Sequence, residues 1–353
     1  MEARDGKTLV RRDDVRIKAK LGDPFTPPVK PGRDSSALRF RVTVRPTIQE
    51  KENRLGGAFR QDEMAVIRRA YARQMLAAAG IESSPRLEAA LAAVARERFL
   101  GPPPWRIIGP LRNHEPLSSR DPAVLYQDVR VALAPGRGVN NGSPILHAGW
   151  LQALAPCEGE RVAHIGAGTG YYTALLAHLV GDAGHVVAVE FDPALADLAR
   201  ANLADRPNVT VVAGDGAEWP REAADGIYVN CSVERPAEAW IDGLRPGGRL
   251  VFPLGVPRPK PSPGGGFHAL HGAGFCVTRE AGGLRARWLG HAFFVCAEGG
   301  LSRPGPERDR LKAAFEGGGM EFVRSLVWRE PVLPQRCWFS GPGWALSYDE
   351  PGR

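Results

Sequence analysis

Short apolar runs alternate with amphipathic stretches through the middle of the 353-residue chain. An apolar run bounded by turn residues is typical of a buried strand, and apolar positions three or four apart predict a helix. Because strands that alternate with helices tend to pair in parallel, the pattern predicts an α/β fold with a doubly wound sheet. The predicted strands are residues 161–165, 185–190, 209–213, 226–230 and 248–253, and the predicted helices between them are residues 172–180, 193–203 and 236–244.

The segments on either side of this core carry different patterns. Two apolar runs joined at Gly282 and Gly283 predict a hairpin that completes the sheet in antiparallel fashion. The upstream predictions are helices at 61–79, 84–98 and 144–155 and an irregular stretch at 101–141 with one strand at 124–133. The downstream predictions are a mobile loop at 253–266, hairpin strands at 274–279 and 284–295, a helix at 307–315 and an aromatic strand pair around Trp328, Trp338 and Trp344.

Composition and charge narrow the class of protein. Hydrophobic residues make up 43% of the chain and charged residues 24%, as in ordinary globular proteins. No apolar run is long enough to span a bilayer and no signal-peptide core is visible, so we expect a cytoplasmic protein without a membrane partner. The first 60 residues hold fifteen Lys or Arg and eight Asp or Glu. Their net charge of +7 equals that of the whole chain. This arm lacks interleaved aromatic residues, so we expect a flexible extension and no nucleic-acid partner.

Cysteine and histidine usage adds little chemistry. The five cysteines are scattered and odd in number, and the eight histidines show no metal-ligand spacing. We therefore expect reduced cysteines in the core and no bound metal.

The most informative motif is the glycine-rich stretch after the first predicted strand. A loop without side chains between a strand and a helix lets an adenine nucleoside lie against bare backbone. A dinucleotide fingerprint requires glycine at position 171, where this chain has Tyr171, and this disfavours a nicotinamide oxidoreductase. The spacing G-x-G-x-G indicates S-adenosylmethionine instead. The predicted cofactor contacts in this loop are Gly166, Ala167, Gly168 and Gly170.

Polar residues follow the next three predicted strands. Glu190 ends the second strand, where its carboxylate can accept hydrogen bonds from both ribose hydroxyls. Asp215 follows the third strand between two glycines and offers an acceptor to the adenine amine. Asn230 ends the fourth strand, near the transferred methyl group. The predicted cofactor contacts at these strand ends are Glu190, Phe191, Gly214, Asp215, Gly216 and Asn230.

These motifs together resemble a protein L-isoaspartate O-methyltransferase over residues 60–300, most strongly over 161–255. Val-Ala-Gly-Asp-Gly at 212–216, Arg-Pro-Gly-Gly-Arg-Leu-Val-Phe-Pro-Leu-Gly at 245–255 and Val-Ala-Arg-Glu-Arg-Phe at 94–99 are similar to motifs of that family. The resemblance implies a Rossmann-like methyltransferase sheet, mostly parallel with an antiparallel C-terminal strand pair, an N-terminal helical segment, and S-adenosyl-L-methionine as cofactor.

The resemblance also implies a loop before the third helix that covers the cofactor. The family carries Thr-Ile-Ser-x-Pro there, with a catalytic serine, and the matching residues in this chain run from Asn140 to Pro144. The position of the serine is therefore Gly142. His147 matches a histidine found in some family members, and Glu298 replaces a threonine of a C-terminal family motif. The catalytic candidates are Ser143, Asn141 and Gly142, and the further cofactor candidates are Asn140, Asn141 and His147.

The implied reaction is methyl transfer to a carboxylate of a protein or peptide partner, with an isoaspartyl residue as the expected acceptor. In the family the methyl ester promotes succinimide formation and so repairs the backbone. A carboxylate is ionised at neutral pH and needs no general base, so the site must mainly position it. Because Gly142 replaces the serine, two alternatives stay open. One is a methyltransferase of the same fold with a dedicated peptide or small-molecule acceptor, and the other is a non-catalytic S-adenosylmethionine-binding protein.

The patterns predict four parts along the chain. Residues 1–57 form the basic, proline-containing extension, and residues 58–143 form the N-terminal helices and the covering loop. Residues 144–300 form the S-adenosylmethionine-binding core, and residues 301–353 form the C-terminal helix and aromatic strands. The oligomeric state is left open.

Overall fold

The computed structural model describes residues 61–109, 112–261, 266–302 and 306–352. The expected flexible extension at 1–57 lies outside the described residues, as do residues 262–265 of the expected mobile loop. The described chain contains a ten-stranded sheet, a four-stranded sheet and helices that precede and connect the strands.

Two helices begin the described chain, α1 (Gln61–Ala78) and α2 (Pro85–Ala93). Gly80 adopts a left-handed φ of +72° just after α1, and Pro85 occupies the first turn of α2. Both boundaries therefore follow the sequence signals for a helix end and a helix start. The prediction for the C-terminal end of α2 is wrong, because the helix ends at Ala93 and not at residue 98.

A buried arginine explains why α2 ends early. The Arg96 side chain is fully buried in the 3₁₀ turn Arg96–Phe99. Its guanidinium donates to the carbonyl oxygens of Leu125, Gln127 and Val129. A buried charge must satisfy its donors, so these distant carbonyl groups override the local helical pattern.

The stretch after Arg96–Phe99 contains a second sheet that the sequence pattern did not predict. The predicted strand at 124–133 is correct only in its second half, because Pro122–Leu125 form a 3₁₀ turn capped by Asp121. Leu125 and Val131 are both fully buried in a separate apolar cluster. The strands are β1 (Arg106–Gly109), β2 (Arg112–Pro116), β3 (Arg130–Ala134) and β4 (Val139–Asn140), in the antiparallel order β2-β1-β3-β4.

The main sheet follows helix α3 (Pro144–Leu154). Its first five strands pair in parallel in the order β9-β8-β5-β6-β7, and the other five add to β9 in antiparallel fashion in the order β13-β14-β12-β11-β10. The predicted doubly wound α/β fold is confirmed. The strands are β5 (Arg161–Ile165), β6 (His185–Glu190), β7 (Val209–Ala213), β8 (Ala224–Val229), β9 (Leu244–Pro257), β10 (Ala269–Glu280), β11 (Gly283–His291), β12 (Ser325–Trp328), β13 (Cys337–Gly341) and β14 (Trp344–Ser347).

Two features of this sheet differ from the prediction. The aromatic strand pair is a set of three strands, β12 to β14, that extends the same sheet beyond the predicted hairpin. Strand β9 begins at Leu244, inside the helix predicted at 236–244, because Leu244 pairs with Ala224 of β8. It ends at Pro257, inside the loop predicted at 253–266, because Pro257 pairs with Ala269 of β10. The helices that connect or flank the strands are α4 (Tyr171–Val180), α5 (Pro193–Asn202), α6 (Glu238–Asp242) and α7 (Pro306–Gly317).

Apolar side chains cover both faces of the main sheet. Neighbouring residues of β9 point to opposite faces, and Val251 and Phe252 accordingly belong to two separate buried clusters. The expectation of core cysteines holds for the buried Cys276 and fails for Cys157, which is exposed. None of the helices in the described ranges combines the length and apolarity needed to cross a bilayer.

Replacement of a buried leucine in α7 tests whether the C-terminal helix belongs to the same core. Leu311 is fully buried, whereas Leu333 in the same C-terminal region is 60% exposed. We expect Leu311→Ala to lower the free energy of unfolding by about 2–5 kcal/mol, because it leaves a cavity. Leu333→Ala should change it by less than about 0.5 kcal/mol. Urea denaturation measures both, and similar effects of the two substitutions would contradict this packing.

Candidate active site

The carboxyl ends of β5, β6 and β8 meet at one edge of the main sheet. Ile165, the last residue of β5, pairs with Val189 of β6 on one side and with Val229 of β8 on the other. Open α/β sheets bind ligands at such an edge, where the chain connections diverge. A cavity of about 470 Å³ lies there. Its walls come from the loop after β5, the residues after β6 and β8, the loop before α3 and the segment 291–298.

The loop after β5 has a backbone conformation that favours glycine. Gly166, Gly168 and Gly170 have φ angles of +75°, +56° and +98°. Gly166, Ala167 and Gly168 line the cavity, so these predicted residues come together at the site. Gly170 does not line it and forms the N-cap of α4, where a Cβ would stand 2.7 Å from Leu203 Cδ1.

Glu190 lies against this loop. It is 8% exposed, its Oε2 accepts from the Gly168 N–H at 2.7 Å, and its Oε1 accepts from the Asp192 N–H at 3.0 Å. Burial raises the pKa of Glu190, and the two hydrogen bonds partly offset that shift. The neighbouring Phe191 is 44% exposed and also lines the cavity.

The Gly-Asp-Gly segment after β7 contributes less than predicted. Gly216 lines the cavity, but Gly214 and Asp215 do not. Asp215 Oδ1 accepts from the Ala217 N–H at 2.9 Å, and Oδ2 accepts from the Gly300 N–H at 2.6 Å. The carboxylate therefore caps a 3₁₀ turn and anchors a distant loop, and its contact with adenine stays a prediction.

The loop before α3 lines the cavity and contains a buried side-chain donor without a partner among the described residues. Asn141 Oδ1 accepts from the Val131 N–H at 2.6 Å, while its buried Nδ2 has no partner among the described residues. Asn140 Oδ1 accepts from the Gly142 N–H at 2.9 Å and so shapes the turn. Ser143 Oγ donates to Asp128 Oδ1 at 2.7 Å and caps α3. Ser143 lines the cavity and its hydroxyl holds the start of the helix, so a catalytic role for Ser143 stays a prediction.

A pair of buried polar groups stands behind Asn230, which lines the cavity. Asn230 Nδ2 donates to His164 Nε2 at 2.8 Å, so the proton of this imidazole lies on Nδ1 and points to Thr173 Oγ1 at 2.8 Å. Burial lowers the pKa of His164 to about 3 and keeps the ring neutral. Asn230 Oδ1 is buried and has no partner among the described residues.

Sequence reasoning missed two further residues at this site. Tyr228 of β8 places its hydroxyl 2.6 Å from Nδ1 of His147, which lines the cavity as predicted. Arg137 pairs with both Asp192 and Glu298 and so links three segments of the cavity wall. A tyrosine within an apolar strand was a usable signal for Tyr228, whereas Arg137 lies in the stretch interpreted as irregular.

Comparisons with known proteins agree with this geometry. The family model for protein-L-isoaspartate (D-aspartate) O-methyltransferase matches residues 119–260. Protein-L-isoaspartate O-methyltransferase 2 of Anaeromyxobacter sp. is 36% identical over 233 residues, which cover 65% of this chain and 82% of that protein. The enzyme of Aeropyrum pernix is 35% identical over 189 residues, 52% of this chain, and the match spans just under two thirds (65%) of its length. A solved protein-L-isoaspartate O-methyltransferase structure has a TM-score of 0.53 at 22% identity and covers 74% of this chain and 73% of that one.

The parallel sheet, the glycine loop and the acidic residue at the end of β6 give the protein the fold of a Rossmann-like methyltransferase. Within that class, the chain belongs to the protein-L-isoaspartate O-methyltransferase family, because it is 36% identical to a member over 82% of that member's length. S-adenosylmethionine is the methyl donor of this family. The resemblance inferred from the sequence motifs is thereby confirmed.

Two glycines of the segment after β7 provide a matched test of the crowded cavity floor. A Cβ at Gly216 would overlap Ile165 Cγ2, whereas at Gly214 the nearest atom would stand at an ordinary 3.6 Å. We expect Gly216→Ala to destabilise the protein by about 1–3 kcal/mol through overpacking. Gly214→Ala should have less than about 1 kcal/mol of effect. Urea denaturation compares the two variants, and equal stability would show that the floor is not crowded.

Proposed function

We propose that the protein transfers a methyl group from S-adenosylmethionine to the free carboxylate of an isoaspartyl residue in a protein or peptide. The observation that carries this proposal is the cavity at the end of β5, which Glu190, Asn141 and Asn230 line. Asn141 Nδ2 and Asn230 Oδ1 are uncharged polar atoms without a partner among the described residues. The names of the relatives support the same acceptor.

The residues of the cavity fit the methyl donor. The glycine loop allows a nucleoside to approach the backbone, and the Glu190 carboxylate can accept from ribose hydroxyls. Asn230 Oδ1 is a buried acceptor without a donor, which suits an amino group of the ligand. When bound, S-adenosylmethionine supplies a methyl group on a sulfonium sulfur that leaves as a neutral thioether.

The acceptor side of the site needs donors and not a base. A carboxylate is ionised at neutral pH, so no proton has to be removed before it reacts. Asn141 Nδ2 can donate to it without protonating it. Burial lowers the pKa of His147 as well as that of His164, so both imidazoles are neutral and do not repel a sulfonium. The protein thus mainly supplies position, with neutral polar groups available to hold the carboxylate.

A pair of peptides that differ only in one linkage tests this proposal. We expect the protein to transfer labelled methyl from S-adenosylmethionine to an isoaspartyl peptide and not to its aspartyl twin. Glu190→Gln should lower transfer at subsaturating cofactor by about 10- to 100-fold, because a charged acceptor is lost. The exposed Glu158→Gln serves as the control and should retain full transfer. Absence of label from both peptides would reject the isoaspartyl carboxylate as the acceptor. Equal labelling of the two would show that the enzyme does not distinguish isoaspartyl from aspartyl carboxylates.

A further inference from the structure

The His147 imidazole takes the space that a side chain would need at position 142, the position that matches the family's serine. Gly142 has a φ of +74°, and a Cβ built there would overlap Nε2 of His147 and stand 2.7 Å from its Cδ2. A side chain at position 142 and His147 in its observed place therefore exclude each other. The glycine at position 142 therefore leaves free the space that the His147 ring occupies.

The His147 ring is held firmly in this place. It is 1% exposed and stacks on Tyr172 with a centroid distance of 3.7 Å. The rings of Phe294 and Trp150 contact it edge-on at 5.7 and 6.4 Å. Helix α3 supplies the histidine, and its ring reaches the cavity beside Gly142.

The hydrogen bond to Tyr228 determines which nitrogen carries the proton. Nδ1 lies 2.6 Å from the Tyr228 hydroxyl, and no other hydrogen bond joins that hydroxyl to a described residue. If the tyrosine donates, its only proton is used and Nδ1 is the acceptor; in the reverse arrangement a buried O–H would be left without an acceptor. A neutral ring then carries its proton on Nε2, on the side of Gly142.

A second donor belongs to Asn141, which lies two residues before Ser143, the N-cap of α3, and lines the same cavity. Asn141 is 8% exposed and its Nδ2 lacks a partner among the described residues, while its Oδ1 is fixed by the Val131 N–H. Nε2–H of His147 and Nδ2–H of Asn141 are thus two neutral donors that line one cavity. Two neutral donors suit one carboxylate without attracting a proton to it.

We propose that His147 is a catalytic residue whose Nε2–H, together with Asn141, holds the acceptor carboxylate in place of the family's serine hydroxyl. This inference rests on the proposed function and names the groups that hold its acceptor. One carboxylate oxygen forms a bond to the methyl carbon while the carbon–sulfur bond breaks, and that electron pair stays on sulfur. The acceptor becomes a neutral ester, the sulfonium becomes a neutral thioether, and no proton moves. The two N–H groups hold the other oxygen and orient the attack.

Substitutions at positions 142 and 147 form the first part of the test. We expect His147→Ala to lower kcat/KM for the isoaspartyl peptide by roughly 10- to 100-fold, the loss of a hydrogen bond to a charged group. Affinity for S-adenosylhomocysteine, measured by calorimetry, should stay within about twofold because the lost contact is to the acceptor. The double variant Gly142→Ser with His147→Ala opens space for a hydroxyl and should recover part of the loss, because serine is strained at the left-handed φ of +74°. His185→Ala, on the opposite end of β6, is the matched control and should behave as the wild type.

The outcomes of this part separate a catalytic role from other roles. Unchanged kcat/KM in His147→Ala would overturn the inference. An equal loss of affinity for S-adenosylhomocysteine would also overturn it, because the Nε2–H of His147 would then contact the cofactor and not the acceptor. A purely structural role predicts no recovery in the double variant. Far-ultraviolet circular dichroism and the melting temperature of each variant establish that it is folded.

The second part does not depend on turnover. Nitrogen NMR of the full-length protein with labelled histidine should show His147 neutral with its proton on Nε2. Addition of the isoaspartyl peptide to the complex with S-adenosylhomocysteine should shift that resonance, and the aspartyl peptide should not. A proton on Nδ1, or no shift with bound peptide, would refute the inference. If the wild type binds the isoaspartyl peptide and shifts His147 without methylating it, the proposed function and the catalytic role fail, and only the contact between His147 and the carboxylate is supported.

Discussion

Strand β5 lies between β6 and β8 and pairs in parallel with both, so three strands end together at one edge of the main sheet. Parallel pairing buries β5 on both faces and leaves only its carboxyl end open. The chain must then turn sharply, and the three left-handed glycines allow this. Glu190, Asn230 and the glycine loop reach the same cavity because their strands are held in this register.

A second constraint comes from outside the parallel strands. The loop before α3 lines the cavity, and Asn141 joins this loop to β3 because its Oδ1 accepts from the Val131 N–H. Arg96 holds the chain just before β3 through three carbonyl groups. The small sheet is therefore part of the site, because it determines where Asn141 and Gly142 lie relative to His147.

The sequence allowed the parallel core and its loop to be predicted almost residue by residue. The bounds of β5, β6 and β7 agree with the prediction, since buried strands that alternate with helices leave an unambiguous apolar pattern. Glu190 and Gly216 could be placed at the cavity because their positions follow from strand ends. The small sheet was not predictable in this way, because its short, half-polar strands depend on distant partners such as Arg96.

The parts of the site that escaped prediction depend on contacts between segments far apart in sequence. Spacing did not reveal that Asp215 accepts from the Gly300 N–H, 85 residues away. The reason for a glycine at position 142 follows from the position of the His147 ring beside it. Sequence spacing alone does not reveal where a ring points. The same limit applies to Tyr228 and Arg137, whose roles follow from partners on other elements.

The chemical form of the transferred methyl group tests the central claim most directly. The protein is incubated with an isoaspartyl peptide and S-adenosylmethionine that carries a carbon-13 methyl, and the product is then exposed to mild base. A carboxyl ester predicts release of labelled methanol in equal amount to the S-adenosylhomocysteine formed. Label that stays on the peptide after base treatment would place the methyl group on nitrogen or sulfur and would contradict the account.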